Sequence, residues 1–209
     1  GMLEREFALR FIQEQNFDII LAADRGLEFC SQENIRPTYI LGDFDSLKEG
    51  VLDKYKEERD IPIREFNPVK DNTDMDLALQ QAIILGSREI HILGGTGGRL
   101  DHFFSTVQNL KKAWLKHIPA YLVDSKNLIT LPCEKEFVID RETQHGTYVS
   151  FMPLEEQVTG LTLEGFKYPL DHFTLTNMSG GLGVSNEILA EQGRVSYKDG
   201  ILLMIQSKD

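Results

Sequence analysis

Glu89-Ile90-His91-Ile92-Leu93-Gly94-Gly95-Thr96-Gly97-Gly98-Arg99-Leu100-Asp101-His102 is the stretch whose reading settles how the chain is built. It opens with a short apolar run bounded by glycine, the pattern of a strand covered on both faces. Four glycines in five positions follow, and then residues that can open a helix. Strand, tight turn and helix in that order make the repeating unit of a parallel α/β layer. Ile19-Ile20-Leu21-Ala22-Ala23, Tyr39-Ile40-Leu41 and Ala120-Tyr121-Leu122-Val123 are runs of the same kind, each separated from the next by room for at least one helix. Leu3, Phe7, Phe11 and Ile12 recur at helical spacing. The best-marked helix follows Asn72: Thr73 caps it, Asp76 completes a capping box, Leu77, Ala78, Ile83, Ile84 and Leu85 supply its buried face, and Gly86 ends it.

Beyond about Ser125 the period changes to two. Phe137-Val138-Ile139, Thr147 to Phe151, Val158 to Leu163, Phe173 to Thr176, Arg194 to Tyr197 and Ile201 to Ile205 read as short antiparallel strands. Lys198-Asp199-Gly200 between the last two is a strong hairpin signal. The expected fold is therefore α/β: an N-terminal Rossmann-like layered domain with a mostly parallel sheet, residues 1–125, followed by a smaller C-terminal antiparallel β-sandwich, residues 126–209.

Composition excludes several function classes. With 22 basic and 33 acidic residues the net charge is −11, which argues against a protein that grips nucleic acid or an anionic membrane surface. No apolar run approaches the length of a membrane span. Cys30 and Cys133 lie far apart, which is neither a disulfide framework nor a zinc spacing. Both read as buried small apolar groups in a reducing compartment, and the cytoplasm is the expected location. Gly1 ahead of Met2 reads as a cloning remnant.

Four polar clusters carry the chemistry: Asp24-Arg25-Gly26, Gly42-Asp43-Phe44-Asp45-Ser46, Lys70-Asp71-Asn72-Thr73-Asp74 and the glycine loop itself. Three fall just beyond the C-terminal end of an expected strand, where open parallel sheets bind ligands. Asp43 and Asp45 are spaced so that two carboxylates in a turn can converge on one hard cation, although aspartate is ordinary in turns. Asp71 and Asp74, at a helix start, can equally serve the helix dipole. The glycine run offers bare N–H groups and a helix N-terminus to a phosphate. It lacks the Lys-Ser/Thr of a Walker loop, and Leu100 stands where a dinucleotide fingerprint has its third glycine. Arg99 can fork onto phosphate oxygens, and Asp101 can take a ribose hydroxyl, an amine or a cation. Carboxylates, a phosphate cradle and an arginine in an acidic protein point to a magnesium–polyphosphate site, with a nucleoside triphosphate as guest.

In their order, Ala23-Asp24-Arg25-Gly26, Gly42-Asp43-Phe44-Asp45-Ser46, Asp71-Asn72-Thr73-Asp74 and Gly94 to His102 resemble the motifs of thiamine pyrophosphokinases. Gly165-Phe166-Lys167-Tyr168-Pro169-Leu170 and Gly183-Val184-Ser185-Asn186-Glu187 resemble that family's thiamine-binding β-domain. The resemblance implies an enzyme that transfers the diphosphoryl group of Mg-ATP to the hydroxyl of thiamine, giving thiamine diphosphate and AMP. It implies a homodimer with the thiamine pocket at the subunit interface. Asp43, Asp45, Asp71 and Asp74 match the magnesium carboxylates. Asp43, Asp45, Asp74 and Arg99 match the catalytic set. Asp24, Lys70, Asp71, Thr73, Gly97, Gly98, Arg99 and Asp101 match ATP positions, and Tyr168, Ser185 and Asn186 match thiamine positions. An aromatic face suits thiamine, which carries a fixed positive charge. Relatives usually begin with a strand and a glycine turn, whereas here Met2-Leu3-Glu4 leads straight into helical spacing.

Two rival readings account for part of the motif set. Asp43-Phe44-Asp45-Ser46 also resembles the nucleophile loop of a haloacid-dehalogenase-type phosphatase, in which Asp43 becomes phosphorylated. That reading gives the glycine loop, Arg99 and the β-domain no work. The other is a nucleotide- or thiamine-binding sensor without turnover.

Overall fold

A computed structural model of the chain describes residues 3–58, 60–67 and 73–209. They fall into two compact units, one within residues 5–87 and the other residues 88–209 with residues 3 and 4.

The first unit contains α1 (Arg5–Gln15), β1 (Leu21–Ala23), α2 (Gly26–Gln32), β2 (Tyr39–Gly42), α3 (Val51–Glu57), β3 (Ile63–Glu65) and α4 (Asp74–Ile84). Its sheet has the order β1-β2-β3, parallel throughout, with Ala22 beside Ile40 and Ile40 beside Ile63. Ala22, Leu27, Cys30, Ile40, Tyr55 and Ile61 form its core, with Phe44, Leu47 and Val51 packed against it. Burying each such large aliphatic side chain contributes roughly 1.5–3 kcal/mol, so these short strands are held by packing more than by their few ladder bonds.

Strand β3 is absent from the sequence reading because it is a sheet edge with one apolar residue, Ile63, followed by exposed Arg64 and Glu65. Arg64 is fixed from outside the strand, by Gln81 at 3.2 Å and by the face of the Phe66 ring at 4.9 Å. Helix α4 begins as expected, with the Thr73 hydroxyl accepting the Asp76 N–H at 3.2 Å. Its buried face is a correction. Leu79 and Ala82 are buried together with Asp76 and Gln81, while Ile84 is 71% exposed and Leu85 40%. Ile84 lies roughly 200° around the helix from Ala82, so it cannot share that stripe.

The second unit contains β4 (Ile90–Leu93), α5 (Leu100–Trp114), β5 (Ala120–Val123), β6 (Asn127–Thr130), β7 (Glu136–Asp140), β8 (Tyr148–Pro153), β9 (Gln157–Glu164), β10 (Leu170–Thr176), β11 (Gln192–Ser196) and β12 (Leu202–Ser207). One sheet runs β4-β5-β6-β12-β8, in which β4 and β5 are parallel and the remaining pairs antiparallel. The other runs β10-β9-β11-β7 and is wholly antiparallel. Val149, Phe151, Leu202 and Met204 of the first sheet share a core with Val158, Leu161, Leu163, Leu175 and Val195 of the second. The result is a sandwich whose first sheet also takes in β4 and β5, from ahead of the expected start at residue 126; its core comes from alternate residues of the strands, with a break in β9 between Val158 and Leu161.

The expected hairpin at Lys198-Asp199-Gly200 is not formed: β11 pairs with β7 and β9, and β12 with β6 and β8. The turn instead carries the chain from one sheet to the other. Its polar groups bond to β9, where the Thr159 N–H donates to the Asp199 carbonyl at 3.0 Å and the Lys198 N–H to the Thr159 carbonyl at 2.8 Å. Gly200, at φ +98, lies so close to β9 that a Cβ would stand 2.3 Å from the Gln157 carbonyl oxygen. Asp-Gly thus marked a backbone demand for positive φ, and the burial of both flanking strands on different sheets decided where the chain went.

Cys30 is buried and its thiol is pushed up to about 11 by that burial, whereas Cys133 is only partly buried. Both are free thiols. No helix among the described residues is long and apolar enough to cross a membrane.

Candidate active site

The parallel register sets the site. Ala23 of β1 stands beside Leu41 of β2, so the next residues, Asp24 and Gly42, lie side by side where both strands end. Asp24 turns out of β1 at φ +45, and Phe44 turns out of β2 at φ +61 with its ring packed on the core. Left-handed backbone at two residues other than glycine costs about 1 kcal/mol or more each and is typical of functional loops. Those turns direct Asp43 towards Asp24. Asp74, at the first turn of α4, completes the group: one carboxylate oxygen from each of Asp24, Asp43 and Asp74 lies within 4.8 Å of the others.

Three carboxylates that close repel one another. The Asp24 carboxyl is pushed up to about 7, first by burial, then by its hydrogen bond to Asp74 and the charges of Asp74 and Asp43, against a lowering contribution from the Phe44 N–H. Among the described residues, Asp24 Oδ1 is buried with no hydrogen-bond partner. A Cβ on Gly42 would stand 2.3 Å from that same oxygen, so only glycine leaves room for it. A buried, unsatisfied carboxylate oxygen facing two more carboxylates is a costly arrangement unless a cation joins it. The all-oxygen donor set fits a hard divalent cation such as magnesium.

The remaining residues singled out in this unit lie elsewhere. Asp45 is exposed and stands outside that trio; its N–H donates to Asp43 Oδ1 at 3.3 Å, closing the turn. The Thr73 hydroxyl is used as the cap of α4. Lys70 and Asp71 lie outside the described residues. Glu28 was not anticipated: largely buried on α2, it accepts the Lys48 N–H at 3.2 Å and so ties down the far end of the Asp43 loop. Asp24 was expected at the nucleotide and not with the carboxylate trio. Its position, just past an apolar run like Asp43, was the available signal.

In the second unit the glycine loop joins β4 to α5, turning through positive φ at Gly94 (+78) and Gly98 (+80). Gly97 and Gly98 therefore precede the N-terminus of a helix of 15 residues. Arg99 and Asp101 face each other as a fork, Nε to Oδ1 at 3.1 Å and Nη2 to Oδ2 at 2.6 Å, both largely exposed. Asp101 also accepts the His102 N–H at 2.9 Å. The Arg99 hydrogen bond leads the causes that hold the Asp101 carboxyl down to about 2. The guanidinium fork is thus already folded for a planar oxyanion, with Asp101 in that place.

Tyr168, Ser185 and Asn186 lie together near β8. Tyr168 is 58% exposed, while Asn186 is buried. The Asn186 side chain bonds the main chain of Tyr168 in both directions, accepting from its N–H at 2.9 Å and donating to its carbonyl at 2.8 Å. Ser185 adopts φ +55, and its N–H donates to the Ser150 hydroxyl at 3.0 Å. Lys167 holds Glu187 at 2.6 Å, with its ammonium 5.6 Å from the Tyr168 ring centroid.

Two family models match this chain: the thiamin pyrophosphokinase catalytic domain over residues 13–122 and the thiamin pyrophosphokinase vitamin B1 binding domain over residues 135–202. The thiamine pyrophosphokinase of Bacillus subtilis is 36% identical over 190 residues, covering 90% of this chain and 87% of its own. A crystal structure of that Bacillus subtilis enzyme superposes with a TM-score of 0.85 at 34% identity, over 95% of this chain and 92% of its own. The thiamin pyrophosphokinase structure from Geobacillus thermodenitrificans gives 0.84 at 36% identity, over 100% of this chain and 95% of that one.

Proposed function

The chain belongs to the thiamin pyrophosphokinase family, and from that membership we propose how its residues divide the work of making thiamine diphosphate. It is a thiamine diphosphokinase: the diphosphoryl group of the nucleoside triphosphate passes to the thiamine hydroxyl. In our reading the donor is Mg-ATP. The hydroxyl oxygen attacks the β-phosphorus, the bond from that phosphorus to the α-phosphate oxygen breaks, and AMP leaves with its electron pair. The hydroxyl proton passes to a carboxylate of the first unit.

Asp24, Asp43 and Asp74 hold the magnesium, and the observation that carries this is the buried, unpartnered Asp24 oxygen facing the other two carboxylates. Bound there, magnesium supplies charge neutralisation for the transferring phosphates. Asp45, exposed in the same turn, lends negative charge beside that trio, and Asp71 keeps the magnesium and ATP position that the family resemblance implies. Gly97 and Gly98 offer main-chain N–H groups at the start of α5 to phosphate oxygens, and Arg99 exchanges Asp101 for phosphate. Lys70 and Thr73 complete the ATP positions of this reading. Residues 1–125 serve the nucleotide and 126–209 thiamine, with the Tyr168 ring offering its face to the cation.

The enzyme works as a homodimer with thiamine bound at the subunit interface. Support comes from the large apolar side chains that the second unit leaves exposed: Tyr168, Met178, Leu182, Val184 and Leu189. The free cysteines fit a cytoplasmic enzyme.

Incubating the protein with magnesium, ATP and thiamine, then separating nucleotides and thiamine species, tests the reading. AMP and thiamine diphosphate form in equal amounts and only with magnesium. ADP or inorganic phosphate in place of AMP overturns it.

A further inference from the structure

Asn186 is 2% exposed although its neighbours Ser185 and Glu187 reach solvent. A buried amide is stable only when its polar atoms are used. Here Oδ1 accepts two N–H groups, from Tyr168 at 2.9 Å and from Glu187 at 3.0 Å, and Nδ2 donates to the Tyr168 carbonyl at 2.8 Å. Both acceptor sites of the oxygen are filled. Two of the three bonds take both main-chain polar groups of one residue, as a neighbouring strand would.

The main chain of Asn186 is anchored in turn. It exchanges hydrogen bonds with Val149 on the free edge of β8, at 3.0 and 2.8 Å. The left-handed Ser185 that aims it is held by the Ser150 hydroxyl. A continuous set of bonds therefore runs from β8 through Asn186 to the peptide of Tyr168. At its end stands an aromatic side chain that is 58% exposed. The bonds fix the main chain while the ring stays exposed, so what they set is the direction in which the ring leaves the chain.

We propose that Asn186 is a positioning residue for thiamine: it fixes Tyr168 as the wall of the pocket and does not itself touch the substrate. The inference rests on the reading that Tyr168 lines the thiamine pocket. Its physical content is preorganisation, because a loop already ordered does not have to be ordered by the ligand.

A double-mutant cycle tests it, with the thiamine Kd from calorimetry and steady-state kinetics measured for wild type, Tyr168→Ala, Asn186→Ala and the double variant. Asn186→Ala weakens thiamine binding by about tenfold, the scale of one immobilised side chain, while kcat and the ATP KM stay within about twofold. The double variant binds thiamine no more weakly than Tyr168→Ala. Losses that multiply in the double variant mean that Asn186 has a contact of its own, and overturn the proposal. So does a thiamine Kd unchanged by Asn186→Ala. Asn186→Ser, which keeps a small neutral hydroxyl at this buried position but cannot span both main-chain groups of Tyr168, enters the same cycle if the alanine variant does not fold. An unchanged Kd in Tyr168→Ala removes that ring from the pocket and overturns the proposal, while diphosphoryl transfer stands on AMP formation alone. Failure of wild type to form AMP overturns the reaction and leaves the binding cycle to judge Asn186.

Discussion

The carboxylate cluster of the first unit and the Tyr168 loop of the second handle buried polar atoms in opposite ways. Asp24 leaves an oxygen buried without a partner among like charges. Asn186 uses its carbonyl oxygen and amide within the protein and leaves an apolar ring outside. The first arrangement is incomplete without a cation and stores repulsion that a cation relieves. The second is complete before any ligand arrives and presents an aromatic face with a phenol hydroxyl at its edge. On the proposed division of work, a metal-bound polyphosphate at the first and a cationic ring at the second call for this difference.

The largest effect is expected where the incomplete site is broken. Asp43→Asn lowers kcat by about a thousandfold or more, the scale of losing a group that stabilises charge in the transition state. The fold is retained, because Asp43 is not part of the core. Quenched assays for AMP, beside circular dichroism of the variant, check both statements; a rate near that of wild type removes Asp43 from the metal site.

Asp24→Asn separates stability from activity. The folded carboxyl sits at about 7, above the ordinary aspartate value of about 3.9. The folded state therefore binds the proton more tightly than the unfolded chain, and the metal-free protein loses stability as pH rises from about 4 to about 7. Asparagine removes that repulsion. In a chelator at pH 8 the variant is more stable than wild type to denaturant, by on the order of 1 kcal/mol, and the difference shrinks towards pH 4. Magnesium at pH 8 stabilises wild type and leaves the variant nearly unmoved. A variant less stable than wild type at pH 8 would show the trio to be a structural network.

Arg99→Ala gives a smaller loss, about a tenfold rise in the ATP KM, since its fork offers a bidentate contact from an exposed position. The thiamine KM stays put. Equal rises in both constants break the assignment of Arg99 to the nucleotide.

The two regions were also unequally legible in the amino-acid order. Strand-end aspartates announce themselves, since Asp24 and Asp43 each follow an apolar run. Their convergence with Asp74 does not, because it depends on the parallel register of β1 and β2 and on the entry of α4. In the second unit Ser185-Asn186 is visible as a polar pair, but sequence cannot say whether an amide faces a ligand or a main chain. The same gap explains the turn at Asp199-Gly200: local chemistry reveals the positive φ, whereas pairing with β9 in place of a hairpin is decided by burial on two sheets. Strand β6 went unread for a related reason, since it follows β5 after only three residues and the change in period hides it.

The smallest effect is expected at Glu187. Lys167 places an ammonium 5.6 Å from the Tyr168 ring, and Glu187 neutralises it at 2.6 Å. Glu187→Gln leaves that cation unbalanced beside the surface proposed for another cation. Both groups are partly exposed, so the repulsion is weak and screened, and the thiamine KM rises by about twofold to fivefold at low ionic strength. Raising the salt to about 0.5 M brings variant and wild type together, because the Debye length then falls below the separation of the charges. The loss in Asn186→Ala, which comes from a disordered loop and not from charge, persists at that salt. A salt-insensitive Glu187→Gln would mean that Glu187 acts through its main-chain neighbour Asn186, and would join the two effects into one.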